Sequence, residues 1–464
     1  MINTPLTIKE TQVGLRSKKF TAVELVDSYL SKIKKYNSEY NIFLTVTEEL
    51  AYKKAKELDA VGTYENPLSG VVTSYKDIFL TEGVRTTASS KVLESYIPQY
   101  SATSVKRIEG AGGISIGKLN CDAFAHGSSG ENSDYGPTLN PWNKEYTAGG
   151  SSSGSGAALS AGMSLVTTGT DTCGSIRLPA NYNSLVSLKP TYGAVSRYGV
   201  IAMASSLDTV GPLGHTVGDV ETVFNVIKGE DGLDGTVCNF EYSSTEDLDN
   251  KKFKIGVPKE FFVGGLSPEI QSNIDEVIKT YKNEKVEFVE VSLPHTKYGI
   301  SVYYIIQPAE VSSNLGRFDG IRYGNDRNSF GEEAKRRIML GSYVLSAGYY
   351  DAYFDKAMRV RTVIKNEIDD IFTKVDALIA PVAPTPAFKI GEKTNDPLAM
   401  YLTDIYAATA NLCGIPSITI PSGFTKNNLP LGFQLMGPRF GEQTLFSLGK
   451  LYEKITNYVP KISF

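Results

Sequence analysis

A serine, Ser175, sits in the run Gly169-Thr170-Asp171-Thr172-Cys173-Gly174-Ser175-Ile176-Arg177. A second run, Gly149-Gly150-Ser151-Ser152-Ser153-Gly154-Ser155-Gly156, precedes it, and Lys76 lies further upstream in Ser74-Tyr75-Lys76-Asp77. Amide hydrolysis needs a nucleophile, a base and a proton donor for the leaving amine. A hydroxyl becomes a nucleophile when a neutral lysine takes its proton, and burial favours the neutral lysine. A bridging serine can pass the proton between them. Glycines beside Ser175 let backbone N–H groups reach a reacting carbonyl, where each donor is typically worth about 3 kcal/mol. Only three histidines are present, His126, His215 and His295, and none has an evident catalytic setting.

Other motif matches are weaker. Gly150-Ser151-Ser152-Ser153-Gly154 fits a G-x-S-x-G nucleophile elbow, but a run of serines makes that match easy, and His215 or His295 would have to serve as base. Gly112 to Lys118 fits the first part of a phosphate loop. Leu119 stands where Ser or Thr should bind magnesium, and 113–117 reads as a strand. Ser31 and Lys34 match S-x-x-K on an amphipathic surface helix. Cys173 is a rival nucleophile with no histidine placed to activate it.

The elements that must position these residues follow from periodicity. Thr21-Ala22-Val23-Glu24 reads as a capping box opening a helix with Val23, Leu25, Val26, Tyr29, Leu30 and Ile33 on one face. A helix is expected over 47–58, and a buried strand over 70–76 with Lys76 at its end. A helix over 102–110 and a strand over 113–117 come next. Residues 122–156 read as loop, 156–163 as a small-residue helix, and 165–169 as a strand leading to Ser175. Residues 230–250 read as a polar surface connection. Strands are expected at 253–258, 377–381 and 431–436, with one helical stretch over 332–371. Alternating strands and helices predict an α/β fold with a mixed sheet covered by helices.

Bulk properties bound the rest. The 464 residues are 41% hydrophobic and 21% charged, with a net charge of -4. That supports a sizeable core and gives no basic footprint for nucleic acid. Four scattered cysteines show no CxxC spacing, which argues for a reduced compartment without a zinc site. There is no apolar run long enough to span a membrane and no secretory h-region near the N-terminus.

The order of Lys76, Gly149-Gly150-Ser151-Ser152 and Asp171-Thr172-Cys173-Gly174-Ser175-Ile176-Arg177 resembles the amidase signature family. The resemblance implies a Ser-cis-Ser-Lys triad. Ser175 is then the acyl-enzyme nucleophile, Ser151 the bridging serine after a cis peptide bond, and Lys76 the general base. Backbone N–H groups of Thr172, Cys173, Gly174 and Ser175 are the implied oxyanion donors. The implied fold is one α/β domain over 1–464, a central mixed β-sheet with helices on both faces. Its catalytic core spans about 65–215, and a glutamine-pocket and C-terminal part about 290–440.

Further blocks resemble the branch of that family that serves as A subunits of glutamyl-tRNA(Gln) amidotransferases. They include Gly127-Ser128-Ser129-Gly130-Glu131-Asn132-Ser133, Leu188-Lys189-Pro190-Thr191-Tyr192-Gly193, 317–324, 335–341, 346–353 and 400–405. This branch implies a glutaminase that supplies ammonia. A partner B subunit, using ATP and magnesium, would amidate glutamate on Glu-tRNA(Gln), beside a small third subunit. No cofactor is implied for this chain. Arg337 would hold the α-carboxylate of free glutamine, Asp404 its α-ammonium, and Tyr303 would line the pocket. The alternative activity is a stand-alone amide hydrolase of the same family. Departures from the family pattern are Cys173 for glycine, His126 for methionine, Ile78 for asparagine and Ser153-Gly154 for a glycine pair. The region 324–337 is also shortened. They point to a divergent homologue, with the mitochondrial matrix as the expected compartment and the bacterial cytoplasm as the alternative.

Overall fold

The computed structural model describes residues 7–242, 251–262, 265–282, 284 and 286–463. Eleven strands form one sheet. In chain order they are β1 (Phe43–Val46), β2 (Val72–Lys76), β3 (Ile114–Leu119), β4 (Val166–Asp171), β5 (Val186–Lys189) and β6 (Thr209–Gly214). The second half supplies β7 (Phe253–Pro258), β8 (Val286–Val291), β9 (Ala377–Pro381), β10 (Ser417–Phe424) and β11 (Pro430–Met436). Their spatial order is β1-β3-β2-β4-β6-β5-β10-β11-β9-β7-β8. The sheet is mixed. β2 runs parallel to β3 and β4, and β7 parallel to β8 and β9, while the remaining pairs are antiparallel.

The central strands are buried along their whole length, β2, β4, β5, β6, β9 and β11 among them. Near-continuous burial is what a sheet covered by helices requires. The two halves of the chain meet where β5 pairs with β10, with Ser187, Leu188 and Lys189 opposite Thr419, Ile418 and Ser417. One apolar cluster runs under most of the sheet. A second gathers Cys173, Tyr303, Ile306, Leu378, Ala407 and Leu412, so it joins the run around Ser175 to the second half.

The expected elements are found with small shifts. The capping box at Thr21 and Glu24 opens helix Ala22–Tyr40. Residues 114–117 lie in strand β3, which disposes of the phosphate loop. The small-residue helix is Ser153–Ser160 and begins three residues early. The single stretch expected over 332–371 is broken into helix Glu332–Val344, a π-turn at Tyr350–Asp355 and helix Lys356–Ile371. Gly348, with φ of 86°, sits at the break, in a conformation that glycine adopts without a Cβ penalty. Of the polar connection at 230–250, residues 230–242 run as turns and coil, and 243–250 lie outside the described residues. No described helix is long and apolar enough to cross a membrane.

Candidate active site

The parallel register of β2 and β4 places Thr73, Ser74 and Tyr75 beside Val166, Thr167 and Thr168. The next residues, Lys76 and Gly169-Thr170-Asp171, therefore emerge together at the carboxyl ends of the two strands, where open α/β sheets build their sites. Helix Ser153–Ser160 packs across these strands. Its close approach depends on missing side chains. A Cβ on Gly154 would come to 2.6 Å from Asn120 O, and one on Gly169 to 2.7 Å from Ser152 Oγ. Ser155 Oγ donates to Thr168 O at 3.0 Å, and Thr167 Oγ1 donates back to Ser155 O at 3.1 Å. The turn before this helix is thereby fixed over the strand ends.

Lys76 Nζ lies 2.7 Å from Ser151 Oγ and 3.0 Å from Thr170 Oγ1. Lys76 and Ser151 are fully buried, and the Gly150–Ser151 peptide bond is cis. Burial pulls the Lys76 ammonium below the ordinary lysine range, against Cys121 and the nearby carboxylates of Asp122, Asp171 and Asp208. Ser175 is held beside this turn through its backbone, its carbonyl accepting the Ser152 N–H at 3.1 Å. The motif-matching Ser152 is buried, with its hydroxyl turned to Thr170 O at 3.4 Å. His215 is buried with both ring nitrogens unpartnered, and its electrostatic neighbour is Lys32. His295 is half exposed against Glu367 at 3.1 Å.

The run after β4 is clamped by a buried ion pair. Arg177 Nε and Nη2 lie 3.0 Å from Asp171 Oδ2 and Oδ1. The same guanidinium donates to Gln434 Oε1 at 2.8 Å, Asn411 Oδ1 at 2.6 Å and Ala407 O at 3.0 Å. Burial raises the Asp171 carboxyl, but Arg177 outweighs it and holds it at about 2. Gly174 N–H donates to Asp171 Oδ1 at 2.7 Å, so that expected oxyanion donor is already engaged. Among the described residues, the N–H groups of Thr172, Cys173 and Ser175 have no such partner. The left-handed position is Gly174, at φ of 92°, and not Cys173. A side chain at 173 therefore meets no φ penalty. The Cys173 thiol is buried among apolar neighbours, with burial and Asp404 pushing it well above its ordinary value. That is the reverse of an activated thiolate. Thr172 turns its hydroxyl to Asp208 at 2.7 Å.

Arg337 lines a cleft of about 140 Å³ with Ser128, Tyr304 and Tyr401, and Ser128 and Tyr304 connect its wall to the buried Asp404. Helices Gly299–Asn314 and Glu332–Val344 pack closely because Gly341 faces the Pro308 carbonyl, where any Cβ would collide. One turn earlier, Arg337 Nη1 reaches Gln307 Oε1 at 2.6 Å and Nε reaches Glu333 Oε1 at 2.7 Å. Tyr304 and Tyr401 stack on each other, with the guanidinium 4.7 and 5.1 Å from their ring centres. Asp404 Oδ2 accepts from Ser128 Oγ at 2.8 Å and Tyr304 Oη at 2.9 Å, while Oδ1 is buried and unpartnered. Burial pushes this carboxyl up to about 7, against the two hydroxyls and Arg337.

Sequence reasoning named Tyr303 for this pocket. Tyr303 packs into the apolar cluster with Cys173, and its neighbour Tyr304 faces the cleft. Two adjacent tyrosines on a helix point about 100° apart, and nothing in the sequence says which one faces the site. Thr170, Ser128, Gln307 and Tyr401 were also missed. Thr170 was within reach of inference, because it lies near the end of the strand paired with the one carrying Lys76. Among the described residues, no cluster of three or more His, Cys, Asp or Glu could hold a metal ion.

The chain is 48% identical to the A subunit of a glutamyl-tRNA(Gln) amidotransferase from Carboxydothermus hydrogenoformans, over 98% of both chains. It is equally similar to the one from Geotalea daltonii. Among solved structures, the corresponding A subunit from Thermotoga maritima superposes with a TM-score of 0.83 at 39% identity, covering 97% of this chain and 94% of that one. A 6-aminohexanoate cyclic dimer hydrolase at 21% identity shares the fold, with a TM-score of 0.88 over 97% of each chain. The model of the Amidase family matches residues 24–446, and with a buried lysine on a serine at the strand ends, the chain belongs to that family.

Proposed function

We propose that this chain is the glutamine-hydrolysing A subunit of a glutamyl-tRNA(Gln) amidotransferase. The observation that carries the reading is the cleft lined by Arg337, whose wall residues Ser128 and Tyr304 also hydrogen-bond Asp404, in a chain similar to A subunits along nearly its whole length. A free amino acid carries an α-carboxylate and an α-ammonium. A planar guanidinium suits the first and a buried carboxylate the second. Arg337 holds the carboxylate, and Asp404 holds the ammonium through Oδ1.

Neutral Lys76 accepts the Ser151 proton as Ser151 accepts that of Ser175. Ser175 Oγ attacks the side-chain amide carbon, and the oxyanion falls to the N–H groups of Thr172, Cys173 and Ser175. Collapse breaks the C–N bond. The proton returns through Ser151, ammonia leaves, and a glutamyl ester remains. Water, deprotonated along the same path, releases glutamate. Ammonia passes to a B subunit, which uses ATP and magnesium to amidate Glu-tRNA(Gln) in the presence of a small third subunit. The similar proteins come from bacteria, which supports the bacterial cytoplasm over the mitochondrial matrix.

The test is amidation of Glu-tRNA(Gln) by the co-purified complex. Ser175→Ala abolishes glutamine-dependent amidation, by at least about a thousandfold for loss of a nucleophile, and leaves ammonia-dependent amidation intact. Equal loss with both donors, or turnover of aryl amides but not glutamine, overturns the reading.

A further inference from the structure

Asp122 lies outside the proton path, yet it touches both halves of the site. It is fully buried three residues after β3. Its N–H donates to Ser151 O at 3.1 Å. Its Oδ1 accepts the Asn132 N–H at 2.9 Å and its Oδ2 the Gly130 N–H at 3.1 Å. Two glycines make room for it. A Cβ on Gly127 would come to 2.5 Å from its carboxyl carbon, and one on Gly150 would collide with Oδ2. The carboxyl is therefore wedged between the turn that carries Ser151 and the loop that carries Ser128. That loop joins the turn a second time, with Ser128 O accepting the Gly150 N–H at 2.8 Å. Ser128 then reaches Asp404.

A buried carboxyl with two amide donors is costly to keep, and a serine or asparagine could accept from an amide without the charge. The other carboxylates around Lys76 are engaged elsewhere. Asp171 pairs with Arg177, and Asp208 takes the Thr172 hydroxyl and the N–H groups of Met203 and Ala204. Lys76 faces Cys121, Asp122, His126, Asp171 and Asp208, and Asp122 faces Lys76, Cys121 and Glu131.

We propose that Asp122 is a positioning residue for the Lys76–Ser151 pair, tying the bridging serine's turn to the substrate loop and setting the charge that Lys76 meets. The proposal rests on Lys76 acting as the base. Burial raises the Asp122 carboxyl to about 7, so it is charged above that pH, and there it favours the Lys76 ammonium. Removing it lets Lys76 stay neutral at lower pH, so the acid limb of activity moves down.

Asp122→Asn keeps the volume, removes the charge and sets an NH₂ against one of the two amide donors. In the assembled complex, kcat for glutamine hydrolysis falls about tenfold or more, KM stays within about threefold, and the acid limb of kcat/KM moves down by about half a pH unit or more. An unmoved acid limb, or a change in KM alone, overturns the proposal. If the Asn variant does not fold, Asp122→Ser carries the same measurement with the same two outcomes. The Lys76→Ala control separates the two readings. Residual base-dependent activity there sinks the lysine mechanism itself. A dead Lys76→Ala with an unmoved limb in Asp122→Asn sinks only the role of Asp122.

Discussion

Asp404 titrates where a substrate ammonium would need it charged. Its carboxyl, raised to about 7 by burial, is neutral at lower pH and cannot pair with a cation. KM for glutamine therefore rises as pH falls below about 7, approaching tenfold per unit, while kcat follows the separate titration of Lys76. Steady-state kinetics between about pH 5.5 and about 8.5 check this, and a flat KM across that window removes Asp404 from the ammonium site. At this scale the sequence was most readable where chemistry is carried by several residues in order. Lys76, Ser151 and Ser175 are ordinary singly and stand out only together, because their order along the chain resembles the family's. Ser128 and Gln307 do not, since a serine in a loop and a glutamine in a helix are ordinary until a fold sets them against Asp404 and Arg337. Gly174 was named for its N–H. Its more evident requirement is conformational, a φ of 92° with Ala407 Cβ only 2.8 Å from where a Cβ would stand.

Helices place the proposed substrate pocket through one close contact. Gly341 lets helix Glu332–Val344 seat against Pro308, and Arg337 lies one turn away on the same face. Gly341→Ala pushes the two helices apart. Overpacking of this kind costs about 1–3 kcal/mol, and the displaced guanidinium raises KM about tenfold or more with a smaller effect on kcat. Thermal melts and kinetics on the same protein check both, and an unchanged KM refutes the placement argument. Element boundaries were legible to within a few residues where periodicity and caps coincide, as at Thr21 and Glu24. The break at Gly348 was not read from the sequence. The tyrosine- and arginine-rich flanks continue a helical pattern across it, and only the backbone turn reveals it.

Across the whole molecule, the strand order could not be read from the chain. Local sequence calls for strands but says nothing of which pair, and β5–β10 joins segments more than two hundred residues apart. That pairing makes the halves interdependent. A fragment of residues 1–242 keeps every member of the proposed triad, loses β7–β11 and bares the edge of β5. It is expected to aggregate and to show no glutaminase activity, because an unpaired edge strand templates association. Size-exclusion chromatography and an ammonia-release assay test this, and a monomeric, active fragment contradicts it. The same dependence sets a clock during synthesis. Arg177, which clamps the nucleophile's loop, takes one of its partners 257 residues later in the chain, at Gln434. A nascent chain on the ribosome has made all its chemically reactive groups long before it has made the residues that align them. The chain is therefore expected to hydrolyse no glutamine before β11, which carries Gln434, has left the tunnel.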